Sequence, residues 1–200
     1  MTTHTPRSTE TVHDLATDVI HLLREANQTV GVAESLTAGL VMSALTSVPG
    51  ASAAFRGGIV SYATPLKQTL LGVDADLIAR EGVIHPDVAE QMASGARRVT
   101  GIASAATGDV TVAATWGIGT TGVAGPDQQD GKPVGTVYIG IASPTGAKAW
   151  GPFLFPGPRE RVREATVLEA LARLRDALVE DADERERDQE YEEKEHKNGE

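Results

Sequence analysis

The sequence predicts a three-layer α/β/α sandwich around a mixed β-sheet, and three observations lead there. Amphipathic helical stripes alternate with short β-branched runs through the first two thirds of the chain. Two strand-like runs then follow each other, residues 134–142 and 147–155, joined by Pro144-Thr145-Gly146, which reads as an antiparallel C-terminal hairpin. A long helical stripe comes last. The 200 residues, 40% of them hydrophobic, suffice for one core, so a single domain over 10–180 is expected. Residues 1–9 read as a flexible lead-in.

The elements follow in order. Val12, Leu15, Ala16, Val19, Ile20, Leu23 and Ala26 share one helical face, and Thr11 with Asp14 has capping-box spacing. Residues 29–33 form a buried strand, and Ser35 opens a second helix over 36–45, ended by Pro49-Gly50. A strand over 58–62 is followed by helical turns over 65–71 and 74–80, then by a helix over 86–99 with Pro86 at its first position. Residues 101–114 carry little signal. A strand over 117–121 runs into Gly122-Val123-Ala124-Gly125-Pro126 and a polar loop. After the hairpin, Val162, Ala165, Leu168, Leu171, Leu174 and Leu178 line one face of a helix over 159–180.

Charge is unevenly placed. Residues 181–200 hold ten Asp/Glu and four Lys/Arg, a net of −6 out of −10 for the chain, and read as a disordered charged tail. No basic stripe offers itself to nucleic acid. No apolar run reaches the ~18 residues of a membrane span, and no apolar segment suggests a secretory signal. The chain has no cysteine, which excludes disulfides, thiolate catalysis and cysteine-based metal sites. A cytoplasmic protein is expected.

Three segments can carry chemistry. In Val32-Ala33-Glu34-Ser35-Leu36-Thr37-Ala38-Gly39 a buried strand stops at a serine, beside unpaired N–H groups that suit an oxyanion. The plainer reading is that the serine is a favoured N-cap, which needs no chemistry to explain it. In Phe55-Arg56-Gly57-Gly58-Ile59-Val60-Ser61-Tyr62 and the following Lys67, a desolvated lysine at a strand end can act as base. Tyr62 can pass a proton or hold the lysine. A solvated lysine and a core tyrosine are the plainer readings. In Thr120-Thr121-Gly122-Val123-Ala124-Gly125-Pro126 small residues let backbone approach a ligand, or simply turn tightly. This is neither a P-loop nor a dinucleotide fingerprint. The histidines, at 4, 13, 21, 85 and 196, have no ligand spacing, and no metal site is expected. A Ser/Lys mechanism needs no histidine, and among hydrolytic options the residues favour it.

These segments in this order resemble the C-terminal domain of the competence/damage-inducible CinA proteins, which also stands alone as nicotinamide-nucleotide amidase. The matching text includes Ala33–Leu40, Leu45–Ser52, Phe55–Tyr62 with Lys67, Leu71-Gly72-Val73, Thr121–Pro126, Lys132–Tyr138 and Phe155–Arg159 with Arg163, and spans roughly residues 10–178. The resemblance implies hydrolysis of nicotinamide mononucleotide to nicotinate mononucleotide and ammonia. It assigns Ser35 as nucleophile, activated by Lys67 with Tyr62, and needs no metal or organic cofactor. Thr37, Gly39, Thr121 and Gly122 become candidates for substrate contact, and Arg159 and Arg163 for phosphate contact, with surface salt bridges as the bland alternative for both arginines. A homo-oligomer, dimer or trimer, is implied as well.

The sequence departs from that pattern in places. Ala38 stands where the family usually has the first of two glycines, His85 where it usually has serine, and 102–114 looks like an insertion. Any activity of the family's N-terminal domain is expected to be absent. The competing reading is a non-catalytic module that binds pyridine nucleotides, since fold alone does not establish catalysis.

Overall fold

A computed structural model describes residues 10–103 and 111–198; the lead-in 1–9 and the middle of the 102–114 segment lie outside the described residues. The first helix, α1 (Val12–Glu25), starts where the sequence places it. Thr11 caps it, with Thr11 and Asp14 bonded reciprocally as a capping box. Its stripe of Leu15, Ala16, Val19, Ile20 and Leu23 is buried.

Strand β1 (Val30–Glu34) is buried at all five positions, as a strand covered on both faces must be. It lies between β2 (Phe55–Val60) and β5 (Trp116–Gly122), parallel to both. Beyond β5 the sheet turns antiparallel through β6 (Thr136–Ser143) and β7 (Gly146–Leu154), where Ser143 pairs with Gly146. The order is β2-β1-β5-β6-β7, with a separate two-stranded piece of β3 (Ile102–Ala103) and β4 (Thr111–Val112).

One face of the sheet carries α1, α2 (Leu40–Thr46) and α6 (Arg159–Asn198) over the main apolar core. The other carries α4 (Ala75–Glu81) and α5 (Pro86–Val99), while α3 (Thr64–Thr69) reaches the ends of β1 and β2 through Lys67. Helix α5 sits directly on strand glycines. A Cβ at Gly117 would fall 2.0 Å from the Ala93 carbonyl oxygen, and one at Gly140 or Gly119 would fall 2.2 or 2.4 Å from that of Ala89. Those glycines add no side-chain packing; they let the helix backbone approach the sheet.

The tail differs from expectation. Helix α6 continues through the charged run to Asn198. Its first half buries Val162, Val167, Ala170, Leu171, Leu174 and Leu178, whereas residues 183–191 are exposed. Lack of apolar residues removes packing, but it does not remove helix propensity. No Gly or Pro interrupts 159–198, and Arg185 bonds Asp181 one turn back at 3.0 Å.

In register, Glu34 faces Val60 on one side and Thr120 on the other. Strands β1 and β2 therefore end level, β5 runs two residues further to Gly122, and the chain leaves the three at Ser35, Ser61 and Val123. Carboxyl ends of parallel strands are where ligand sites collect in open α/β sheets.

Candidate active site

Ser35 does not cap a helix. Residues 36–39 form turns and α2 starts at Leu40, with Gly39 in the left-handed region (φ 98°) and no side-chain cap there. Glu34 does the capping instead. Its fully buried carboxylate accepts hydrogen bonds from the amides of Gly39 (2.8 Å), Val41 (3.2 Å) and Met42 (2.9 Å). Three charge-assisted bonds at a helix N-terminus offset the cost of burying the carboxylate. The amides expected to serve an oxyanion are thus occupied. Those of Leu36 and Thr37 donate to nothing among the described residues and lie next to the serine.

Ser35 is fixed from below by its own amide, which donates to the Thr120 carbonyl at 3.1 Å. Lys67, on α3, has 1% of its surface exposed, so it is neither solvated nor peripheral. Its Nζ lies 3.1 Å from Ser35 Oγ and donates to the Ser61 carbonyl at 2.7 Å. The amide of Ser61 in turn donates to the Glu34 carbonyl at 2.8 Å. Burial disfavours the ammonium form and lowers the Lys67 pKa to about 8.

Tyr62 is placed differently from the sequence reading. It is 57% exposed, and its hydroxyl accepts a hydrogen bond from Arg159 Nη2 at 2.9 Å; its bond is with the arginine, not with the lysine. Arg159 Nη1 donates to the Gly125 carbonyl at 2.8 Å, so one guanidinium joins three segments at the pocket mouth.

Among the other sequence candidates, Gly122 lines the pocket with Ser35, Lys67, Tyr62 and Arg159. Thr37 is buried, its hydroxyl 2.9 Å from that of Thr120. Thr121 donates to the Val83 carbonyl at 2.6 Å. Arg163 grips the turn after the serine, donating to the carbonyls of Leu36 and Thr37, each at 3.0 Å. These three residues and Gly39 shape the walls and do not line the opening. His85 caps α5, accepting from the Asp87 amide at 3.3 Å, and takes no part in the site. Among the described residues no group of three His, Asp or Glu is arranged to hold a metal.

The pocket has about 530 Å³ of free space, part of it open solvent at the mouth. Asp127 and Gln129 also line it. Sequence reading missed Asp127, Ser61 and above all Glu34. The only available signal for Glu34 was an acid ending an otherwise apolar strand, just before a helix.

A model of the CinA C-terminal domain matches residues 12–178. The chain belongs to the CinA C-terminal domain family. It is 48% identical over 161 residues to a CinA-like protein of Frankia casuarinae, covering 80% of this chain and 34% of that protein. A CinA-like protein of Thermosynechococcus vestitus is 42% identical over 168 residues, covering 82% and 38%. The chain thus spans little more than a third of these curated relatives. Among solved structures, a CinA superfamily protein from Klebsiella pneumoniae superposes with a TM-score of 0.76 at 26% identity, covering 86% of this chain and 99% of that one. The competence/damage-inducible protein of Agrobacterium tumefaciens gives 0.74 at 30% identity, covering 87% and 99%.

Within this CinA domain the departure at Ala38 has a structural consequence. Ala38 has φ of 49°, in the left-handed region that glycine occupies freely and alanine does not. The substitution therefore concerns backbone conformation more than side-chain size.

Proposed function

We propose that this CinA domain is an amidohydrolase that converts nicotinamide mononucleotide to nicotinate mononucleotide and ammonia through a Ser35 acyl-enzyme. The observation that carries the reading is the buried Lys67 amine 3.1 Å from Ser35 Oγ, with a pKa lowered to about 8. At pH 7 roughly a tenth of such amines are neutral. The neutral amine keeps one N–H on the Ser61 carbonyl and turns its lone pair to the serine hydroxyl.

In this reading Lys67 takes the Ser35 proton as Oγ attacks the carboxamide carbon. The Leu36 and Thr37 amides hold the oxyanion. The lysine proton passes to the leaving nitrogen, the C–N bond breaks, and ammonia departs. Neutral Lys67 then deprotonates water, which cleaves the ester and restores the serine. Glu34 acts on none of these atoms; it holds the turn that presents Ser35. Gly122 and Arg159 contact substrate, with Arg159 receiving the phosphate. Thr37, Gly39, Thr121 and Arg163 keep the walls in place.

The choice of nicotinamide mononucleotide rests on the family resemblance; the geometry supports the amide chemistry. Ammonia release by the purified protein tests both, with nicotinamide and nicotinamide riboside beside the mononucleotide. Release from the mononucleotide that Ser35→Ala abolishes is the expected result. No release from any of the three, with saturable binding of the mononucleotide, would leave a pyridine-nucleotide binding module as the better reading.

A further inference from the structure

We propose that Arg159 is a positioning residue that latches Tyr62 at the pocket rim, and that an anionic group arriving at the guanidinium releases Tyr62 towards the Ser35–Lys67 pair. What the released hydroxyl does there rests on the amidase reading; the latch itself does not.

The geometry is specific. Arg159 spends Nη2 on the Tyr62 hydroxyl (2.9 Å) and Nη1 on the Gly125 carbonyl (2.8 Å). Both partners line the same pocket as Ser35 and Lys67. The two hydrogen bonds of Lys67 Nζ go to Ser35 and Ser61, both at the floor. A tyrosine five residues before the lysine, on the same pocket, therefore has its hydroxyl bonded to an arginine and not to the reacting pair.

The two bonds of Arg159 do not compete equally with an incoming anion. Both bonds already have an ionised donor, but a phosphate oxygen adds full charge–charge attraction and can engage the guanidinium bidentately, which a phenol or a carbonyl cannot. Gly125 lies in the loop after β5, tied to the sheet two residues earlier by Val123, whose amide donates to Thr136 and whose carbonyl accepts from Gly135. Its carbonyl is main chain with no rotor to turn, so it stays. Tyr62 is an exposed side chain with a free rotor, so it is the partner that leaves. The anion takes its place on Nη2 while Nη1 keeps the guanidinium at the mouth.

Freed, the Tyr62 hydroxyl completes the proton path. It donates its proton to the leaving nitrogen and takes the one that Lys67 removed from Ser35. Ammonia then departs neutral, leaving a serine ester, a neutral phenol and a neutral lysine. Under this arrangement the phosphate contributes to kcat, whereas a simple anchor contributes to KM.

Two measurements test the latch. In the first, nicotinamide riboside is the substrate and inorganic phosphite is supplied as the separate anion. Phosphite should raise riboside turnover saturably, by about tenfold or more. Both Arg159→Ala and Tyr62→Phe should lose this activation. Activation that survives Tyr62→Phe would reduce Arg159 to a phosphate clamp and overturn the proposal.

The second measurement needs no turnover. The protein is labelled with 3-fluorotyrosine, and the position 62 signal is assigned by its loss in Tyr62→Phe. Phosphite should shift that 19F signal in the wild type and leave it in place in Arg159→Ala. An unmoved signal in the wild type overturns the latch whatever the activity. A shift in a protein that releases no ammonia would keep the latch and remove the amidase reading.

Discussion

At the floor of the pocket, Glu34, Ser61 and Lys67 have at most 1% of their surface exposed, and their bonds run to backbone groups and to Ser35. At the rim, Tyr62 is 57% exposed, and Arg159 and Asp127 also lie in solvent. Fixed dipoles in a water-poor floor need no rearrangement when charge develops, which suits groups that meet the reacting atoms. Exposed polar contacts exchange at low cost, which suits groups that must recognise a ligand and then move. The two regions therefore differ in what a substitution should do, and each prediction below tests that difference.

The largest effect is expected at the floor, on activity. Ser35→Ala should abolish ammonia release, a loss of at least about 10³-fold. Lys67→Arg should be as inactive, because guanidinium stays protonated. Losing both residues should cost little more than losing either, since they act as one unit. Near-wild-type kcat in Ser35→Ala would mean that the floor is a fold device with no chemistry.

Next comes stability at Glu34. Glu34→Ala leaves three amides unpaired beside a buried helix start, and a loss of about 3 kcal/mol is expected in urea unfolding. A loss below ~1 kcal/mol would show that the turn holds without its carboxylate.

Lys67 makes the floor pH-dependent. Its pKa is about 8 in the folded chain against 10.5 unfolded, so between those values the unfolded chain binds more protons. Stability should therefore rise with pH from 8 to 10.5, by on the order of 3 kcal/mol from this group. Below pH 8 the cost of the buried ammonium is fully present. Lys67→Met should remove that slope in denaturation series at pH 7.5, 9 and 10.5. An identical slope in the variant would place the lysine in water, at odds with the buried floor.

A smaller effect is expected at Ala38. Replacing it by glycine relieves a left-handed alanine, and a gain of about 1 kcal/mol is expected, read as a higher Tm. A loss would mean that the cost in unfolded-state entropy outweighs the strain.

The smallest effect on stability belongs to the rim. Arg159→Ala removes two exposed hydrogen bonds and should shift stability by less than about 0.5 kcal/mol, whatever it does to substrate discrimination. A shift above ~2 kcal/mol would make the strap part of the framework and erase the distinction between floor and rim.

Much of this was legible in the chain. The capping box at Thr11, the stripe of α1, the helix start at Pro86 and the alternation that implies a mixed sheet are local signals, and each appears where the sequence puts it. The start of α2 was misplaced because a serine after a strand has the composition of an N-cap, while the actual cap reaches back from Glu34 across five to eight residues. The extent of α6 was misplaced because absence of apolar residues speaks to packing and not to helix formation.

By itself, then, the sequence determined the fold class and the order of elements along the chain, because periodicity and residue type are local properties, whereas the pairing of Ser35 with Lys67 came from what the family resemblance implies. Only the tertiary structure decided that Lys67 is buried on Ser35, that Glu34 occupies the amides of α2, and that Tyr62 bonds Arg159, 97 residues away. The contacts of Lys67 and Arg159 join segments 32 and 97 residues apart that the sheet register brings together, and no spacing within one segment encodes them; the Glu34 cap is local, but it depends on the left-handed turn at Ala38 and Gly39.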